Sequence, residues 1–144
     1  LKPMSRPIYE TSEHRKKQEK VKDYIEMVWG GCTLKKLPYK DILDYAVCQD
    51  GELKAWVEIK CRKQEFTLST HLMISMHKIN YGRQLSDATG LPFFLVVKFN
   101  NDIYYYKDNR EKHELRWAGR IKSQRDDEDQ EPCYFIDIGL FVRL

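Results

Sequence analysis

The sequence lacks any long apolar run. No stretch approaches the roughly 20 uninterrupted apolar residues that a membrane-spanning helix needs, and the first ten residues contain no apolar segment of the kind found in signal peptides. These two absences argue against a membrane protein and against an exported one, so we expect a cytoplasmic protein. The chain begins with Leu1 rather than Met, which leaves the completeness of the N-terminus open.

Paired cysteines and a dominant charge are also lacking. The four cysteines have no short paired spacing, which favours neither a zinc ribbon nor a disulfide framework and fits a reducing compartment. His71 and His77 are too weakly placed to indicate a zinc site. The 25 Lys and Arg against 22 Asp and Glu give a formal charge of +3, which neither requires nor excludes a nucleic-acid partner. There is no repeat or interdomain linker, so we expect 144 residues to form one domain around one core.

The periodicity of the first two thirds predicts the order helix, three strands, helix, strand. The first helix has apolar residues at helical spacing and stops at Gly30 and Gly31, and the last strand is apolar throughout, as in a strand that is covered on both faces. The predicted elements are the helix Tyr9–Trp29, the strands Cys32–Leu37, Ile42–Cys48 and Leu53–Cys61, the helix Leu72–Thr89 and the central strand Pro92–Phe99.

The last third predicts further strands. Ile103–Lys107 is expected to pair with the central strand as a hairpin, and Leu115–Ile121 and Tyr134–Ile138 have strand character. The acidic run in Gln124–Glu131 is typical of a solvated loop.

Acidic and basic residues that could take part in catalysis lie on two neighbouring strands. Alternation puts Glu58 and Lys60 on the same face of their strand. Asp44 falls within an apolar strand, where a carboxylate is costly to bury unless it is paired or bound to a cation. Two carboxylates and a backbone carbonyl form a hard oxygen site suited to Mg²⁺. A lysine beside such a site can orient the attacking water and offset charge that develops on a phosphate, so the pattern indicates phosphodiester hydrolysis.

These residues resemble the motif of the PD-(D/E)XK nuclease superfamily, which has an Asp on one strand and then Asp or Glu, any residue, and Lys on the next. Here Asp44 is followed after thirteen residues by Glu58, Ile59 and Lys60. The resemblance implies a restriction-endonuclease-like αβββαβ core over about 9–99, with a mixed α/β architecture, a central mixed sheet flanked by helices, and extra C-terminal strands in about 100–144. It also implies that Asp44, Glu58 and the Ile59 carbonyl hold Mg²⁺ or Mn²⁺, and that Lys60 assists the hydrolytic water.

The register between the two strands decides whether this site can form. A two-residue hairpin at Asp50 and Gly51 would place Asp44 opposite Val57, with its side chain directed away from Glu58. A bulge or an odd-length loop, with Gly51 or Glu52 in the bulge, pairs Asp44 with Glu58 and restores a common face. We therefore predict such an irregularity.

On the first helix, many members of the family carry a Glu. Glu19 fits by residue type, but it falls about 150° from the centre of the apolar face, whereas Gln18 and His14 fall on or beside that face. We therefore expect Gln18 to face the sheet, where it could hold a metal-bound water, and His14 to border the same groove.

Several other side chains are candidates for contact with nucleic acid. Lys78 lies in the apolar stripe of the second helix and could bind the scissile phosphate or Glu58, with snorkelling to solvent as the alternative. Residues 1–40 carry ten Lys or Arg against five Asp or Glu, a concentration of basic charge that suits phosphate contacts. The nucleic-acid-binding candidates are Lys78, Arg62, Lys63, His14, Lys17 and Gln84.

The expected function is thus a Mg²⁺-dependent nuclease, most simply a deoxyribonuclease from a phage or a bacterium, with RNA as the less favoured substrate. The alternative is a nucleic-acid-binding module with the nuclease fold and no turnover, which the Gln in place of an acidic residue keeps open. A structural role for the aromatic run Tyr104–Tyr106 is a third possibility. The small size points to loops, a second subunit in a homodimer, or a partner protein as sources of specificity.

Overall fold

The structure is a computed structural model, and it describes residues 12–38, 43–67, 70–100, 102–119 and 130–144. Its helices are α1 (Ser12–Trp29) and α2 (Met76–Thr89). Its strands are β1 (Thr33–Lys36), β2 (Tyr45–Gln49), β3 (Glu52–Cys61), β4 (His71–Ser75), β5 (Phe93–Lys98), β6 (Ile103–Lys107), β7 (Glu114–Gly119), β8 (Gln130–Asp137) and β9 (Val142–Arg143). Within these ranges no helix has the length and apolarity needed to cross a membrane.

Two sheets organise the chain. Six strands form the larger one in the order β1-β2-β3-β5-β6-β9, in which β3 runs parallel to β5 and the other neighbours are antiparallel. The apolar strand β5 therefore lies in the interior of the sheet, as its sequence predicts. The smaller sheet has the order β4-β8-β7. The mixed α/β fold implied by the resemblance is confirmed.

The larger sheet has one helix on each face. Val21 and Ile25 of α1 pack on the side chains of Val57 and Ile59, which point from β3 to one face. Ile79 of α2 belongs to the apolar cluster on the other face, together with residues of β5 and of the smaller sheet. Alternation in β3 thus places Glu58 and Lys60 on the side of α2, between two apolar cores.

The register of α2 depends on one glycine. Gly82 is buried, and a Cβ added there would lie 2.6 Å from ring atoms of Phe93 on β5. Only a residue without a side chain allows the helix to approach the sheet this closely. Lys78, one turn earlier on the same helix, is thereby held near the centre of the sheet.

Several boundaries differ from the predicted ones. Residues 72–75, expected to begin the second helix, belong to β4, because pairing with β8 satisfies their backbone and Ser75 then caps α2 by accepting a hydrogen bond from the His77 N–H. The helix buries Ile79 and Gly82, whereas Ala88, which helical spacing puts in the same apolar stripe as Lys78, is exposed. Val28 of α1 is likewise more exposed than its periodicity suggests.

The predicted C-terminal strands are present, but they form a separate sheet. Pairing of β8 with both β4 and β7 draws residues 71–75 away from the helix and joins the C-terminal segment to the middle of the chain. Gln130 and Glu131, expected to end a solvated loop, already belong to β8. Residues 9–11, 42, 120–121 and 124–129 of the predicted elements lie outside the described residues.

Candidate active site

A β-bulge between β2 and β3 sets the register of the candidate site. Asp50 and Gly51 form a two-residue turn in which both residues have positive φ, 51° and 78°, and Gln49 pairs with Glu52. Further along, Cys48 pairs with Leu53 but Val47 pairs with Ala55, so Lys54 is an extra residue on β3. The predicted irregularity is confirmed, although it lies at Lys54 rather than at Gly51 or Glu52.

The bulge brings Asp44 next to the Glu58 segment. Tyr45 pairs with Val57, so Asp44, one residue before β2, comes level with Glu58. Asp44 is 8% exposed, and its Oδ2 accepts a hydrogen bond of 2.9 Å from the Ile59 N–H. Its Oδ1 lies 3.4 Å from Nζ of Lys36 on β1. Asp44 therefore stands just outside the strand that was predicted to contain it, with each carboxylate oxygen facing a different partner.

Glu58 is the most deeply buried charged group of this region. Its side chain is 0% exposed, and its Oε2 lies 3.2 Å from Lys60 Nζ and 3.5 Å from Lys78 Nζ. These are ion-pair distances, but within the described ranges neither Glu58 oxygen has a partner with hydrogen-bond geometry. Burial raises the pKa of Glu58; Lys60 opposes this rise, the Asp44 carboxylate adds to it and Lys78 opposes it.

This donor set fits a hard divalent cation. Two nearby carboxylates, one of them fully buried without hydrogen bonds, are the oxygen donors that Mg²⁺ and Mn²⁺ prefer. The described residues contain no group of three or more His, Cys, Asp or Glu that could hold a metal. A cation here would therefore need backbone oxygens, water or substrate phosphates to complete its coordination, which is the usual situation for Mg²⁺.

A cavity of about 310 Å³ lies between α1 and the β1-β2 edge. Gln18 and Glu19 both line it, with Lys22 from the next turn, and Lys36 and Tyr45 from the sheet. Gln18 is half-buried, and its Oε1 has no hydrogen-bond partner in the part of the chain that the structure describes, whereas Glu19 is exposed. The amide thus faces the sheet as the helical geometry predicts.

The remaining candidates from the sequence differ in burial and in their contacts. Lys63 and Gln84 are exposed, as are His14 and Lys17 on α1, where Lys17 pairs with Glu13 one turn earlier. Arg62 differs from these, because its guanidinium donates to the Met73 carbonyl and burial lowers its pKa. That bond ties the end of β3 to β4, so Arg62 has a structural contact besides any it makes to nucleic acid.

Lys36 is the residue at this site that the sequence argument missed. Its strand, β1, was predicted, and Lys36 pairs with Tyr45, next to Asp44. Two adjacent lysines on an edge strand read as a solvated basic patch, and only the antiparallel pairing of β1 with β2 reveals that one of them reaches Asp44. The motif describes β2 and β3 alone and so gives no signal for it.

Comparisons with known proteins identify the family and the fold. A family model described as "Phage putative PDDEXK endonuclease" matches residues 4–144. A search of curated proteins finds no match. Among solved structures, the fold is similar to that of Hjc, a Holliday junction resolvase from the archaeal hyperthermophile Archaeoglobus fulgidus, with a TM-score of 0.59 and 12% identity over 92% of this chain and 93% of that chain. At this identity the likeness concerns the fold.

Proposed function

Because the chain belongs to the phage PDDEXK endonuclease family, we propose that this nuclease hydrolyses phosphodiester bonds in DNA with the help of a divalent cation. The observation that carries the proposal is the Glu58 carboxylate, which is fully buried: its Oε1 has no hydrogen-bond partner within the described ranges, and its Oε2 faces the ammonium groups of Lys60 and Lys78 at ion-pair distance. A structural carboxylate would be expected to have its oxygens hydrogen-bonded. A carboxylate whose function is to bind a cation and its substrate does not need hydrogen bonds from the protein.

Asp44, Glu58 and the Ile59 carbonyl would hold the cation, Mg²⁺ or Mn²⁺. When bound, the ion supplies Lewis-acid polarisation of the scissile phosphate and lowers the pKa of water near it. The Ile59 N–H fixes Asp44 Oδ2, and so orients the Asp44 carboxylate relative to β3. This contact is the chain's own contribution to holding the site in shape before a ligand arrives.

The two lysines beside Glu58 have different parts in this proposal. Lys60 is on the same strand face as Glu58, and its side chain is 25% exposed, so its ammonium can reach a water on the solvent side and orient it for attack. Lys78 approaches Glu58 from α2 and is similarly exposed, which suits contact with the phosphate that is cleaved. Gln18 would act from the α1 side by holding a water in the adjacent cavity.

DNA is the proposed substrate, with branched DNA included among the structures to be tested. The structurally similar protein from Archaeoglobus fulgidus is a Holliday junction resolvase, and basic charge is concentrated in residues 1–40. The exposed side chains of Lys17, Lys63 and Gln84 are candidates for contacts with the DNA backbone, which position DNA without reading its sequence.

Cleavage assays with matched variants test the proposal. Supercoiled plasmid, linear duplex, single strands, four-way junctions and RNA are incubated with Mg²⁺, Mn²⁺ or EDTA. We expect cleavage of DNA only with the metal, and a loss of at least about 100-fold in Glu58→Gln and Lys60→Met. Lys54→Met, which removes an exposed lysine on the same strand, serves as the control that retains activity. Metal-independent cleavage, or full activity in Glu58→Gln, would contradict the proposal.

A nucleic-acid-binding module without turnover is the second candidate. Gln18 favours it, since an amide stands where many members of the family place an acid. The two candidates separate in one experiment, because such a module would shift DNA in a gel with Mg²⁺ present and leave it intact over hours. Light scattering of the same mixtures would report whether one copy or two bind.

A further inference from the structure

Each carboxylate of the candidate site faces at least one ammonium group. Lys36 faces Asp44 at 3.4 Å, while Lys60 and Lys78 face Glu58 at 3.2 and 3.5 Å. Three ammonium groups and two carboxylates give this cluster a formal charge of +1. A divalent cation that enters it must therefore displace at least one ammonium group or bind against a net positive field.

The partners of Asp44 show which ammonium group is the one to leave. Its Oδ2 is held by the Ile59 N–H at 2.9 Å, a backbone donor that cannot move without opening β3. Among the described residues, its Oδ1 is held only by the Lys36 ammonium, on a side chain that is 36% exposed and has four rotatable bonds. Oδ1 is thus the oxygen that a cation can reach at the lower cost.

A released Lys36 side chain has a place to go. Lys36 also lines the cavity beneath α1, where Arg15 and Lys22 stand on the helical side. Lys22 is paired with Asp23 at 3.0 Å and with Glu26 at 3.3 Å. The Lys36 ammonium lies 5.0 Å from the centroid of the Tyr45 ring, and this cation–π contact favours a position of the ammonium on the sheet side of the cavity. Glu19 and Asp23 line the same cavity, so its walls carry both charges. A backbone phosphate that enters it can be bound by Lys36 together with Arg15.

We propose that Lys36 is a positioning residue that links cation binding to nucleic-acid binding. In the metal-free protein it holds Asp44 Oδ1; a divalent cation displaces it; and the freed ammonium then contacts a phosphate of the bound nucleic acid in the groove beside α1. The inference rests on the proposed function, because it requires a cation at Asp44 and DNA across the site. It adds a residue outside the motif and a reason for cation and DNA to favour each other's binding.

Calorimetric titration of Ca²⁺ tests the link without any cleavage. Ca²⁺ is titrated into the free protein and into the protein saturated with a short duplex, for the parent chain, Lys36→Met, Lys36→Arg and the control Lys54→Met. Removing the competing ammonium should strengthen Ca²⁺ binding to the free protein about three- to fivefold in Lys36→Met. In the parent, DNA should raise the affinity for Ca²⁺ by a factor of about five or more, and in Lys36→Met this factor should be about two- to fivefold smaller, since only the contribution of direct phosphate contacts to the cation is left.

The remaining variants distinguish the link from a general charge effect. Lys36→Arg keeps the positive charge of the side chain and should keep most of the coupling between Ca²⁺ and DNA binding. Lys54→Met should match the parent in both titrations. By reciprocity, Ca²⁺ should strengthen DNA binding by the same factor as DNA strengthens Ca²⁺ binding. Circular dichroism without metal should give all four proteins the same secondary structure, although Lys36→Met should melt somewhat lower, since the Asp44 side chain is only 12% exposed and loses a charged partner.

The outcomes separate this inference from the proposed function. If the parent binds Ca²⁺ and DNA but Lys36→Met has unchanged or weaker affinity for Ca²⁺, or the same coupling factor, the role of Lys36 is overturned and the nuclease proposal stands. If the parent binds no divalent cation at millimolar concentration, the metal site itself fails, and the assignment of Lys36 fails with it.

Discussion

Burial of the Glu58 carboxylate is unusually destabilising for a single side chain. A carboxylate that is 0% exposed and lacks hydrogen bonds within the described ranges is destabilising, and the raised pKa reflects how strongly burial disfavours its charge. Lys60 and Lys78 offset part of this cost from ion-pair distance. A cation that binds only the folded state would offset the remaining destabilisation.

Cation binding at Glu58 should stabilise the folded protein. Mn²⁺ at about 100 times its dissociation constant should raise the free energy of unfolding by about 2.7 kcal/mol, which corresponds to several degrees in melting temperature. Glu58→Gln should abolish this increase because it removes one of two carboxylates, and Lys54→Met should retain it. Thermal denaturation followed by circular dichroism, with EDTA as the reference, measures both. An undiminished increase in Glu58→Gln would place the cation elsewhere.

Residue identity also explains what could be predicted at the site. Glu58, Lys60 and Asp44 were found because their pattern along two strands is local, and Gln18 because a helix face is fixed by its period. Lys36 was not found because its contact with Asp44 depends on strand pairing, which the spacing of residues does not specify. Arg62 was identified by charge alone, and its hydrogen bond to the Met73 carbonyl depends on a sheet that the sequence argument did not anticipate.

At the scale of single elements, the β2-β3 hairpin determines whether the site exists. The bulge at Lys54 keeps Asp44 level with Glu58, and the two-residue turn at Asp50 and Gly51 remains regular. The need for an irregularity could be predicted, since period-two alternation and the motif conflict without it. Its position could not, because a bulge at Lys54 and one at Gly51 give the same register beyond them.

Deleting Lys54 tests this dependence. The deletion removes the extra residue, so β3 must either turn its faces over relative to β2 or lose pairing along the hairpin. We expect the free energy of unfolding to fall by more than about 4 kcal/mol, as for disruption of a buried core. The matched substitution Lys54→Ala keeps the bulge and should change stability by less than about 0.5 kcal/mol. Urea denaturation compares the two, and equal midpoints would show that the bulge is dispensable.

The helix α2 shows why one of its ends was misplaced. Ile74 fits the apolar stripe of a helix with Lys78, whereas Leu72 and Ile74 together fit the alternation of a strand, and pairing of β4 with β8 decides between the two. The other end is local, since Gly90 adopts a left-handed conformation with φ 72° and its N–H donates to the Ser86 carbonyl. That end was predicted correctly at Thr89.

Packing of α2 on β5 gives a further prediction. Gly82→Ala introduces a Cβ that would meet Phe93 ring atoms at 2.6 Å, so the helix must shift or the ring must rotate. We expect a loss of about 1–3 kcal/mol in the free energy of unfolding despite the better helix propensity of Ala. Gln84→Ala, on the exposed face of the same helix, should be near neutral. Stabilisation by Gly82→Ala in urea denaturation would contradict the close approach.

Across the whole molecule, a polar cluster joins the larger sheet, α2 and the segment before the smaller sheet. The Tyr106 hydroxyl donates to Glu111 Oε2 at 2.5 Å and lies 3.2 Å from both Asp108 Oδ1 and His113 Nε2. Arg83 of α2 binds Asp108 through two nitrogens and also donates to the Glu111 carbonyl. The cluster lets the C-terminal third dock on the core through partly buried polar groups that are hydrogen-bonded to one another.

His113 makes this junction sensitive to acid. Burial lowers the pKa of His113 from its ordinary 6.5, and the Arg83 guanidinium lowers it further, although Glu111 and Asp108 oppose the shift. Tyr106 and Tyr134 complete the surroundings through the contacts of their rings with the imidazole. The folded protein therefore prefers the neutral imidazole more strongly than the unfolded chain does.

The direction of the pH dependence follows from linkage. Well above pH 6.5 both states carry a neutral His113, and its titration does not change the free energy of unfolding. As the pH falls below 6.5 the unfolded chain takes up the proton first, so the free energy of unfolding decreases until the pH is below the folded pKa as well. His113→Gln should therefore lose less stability between pH 7.5 and 5 than the parent, and His77→Gln, on the exposed face of α2, should follow the parent. Urea denaturation at a series of pH values gives the three profiles. A steeper fall in His113→Gln would mean that the charged imidazole stabilises the junction through Glu111 and Asp108.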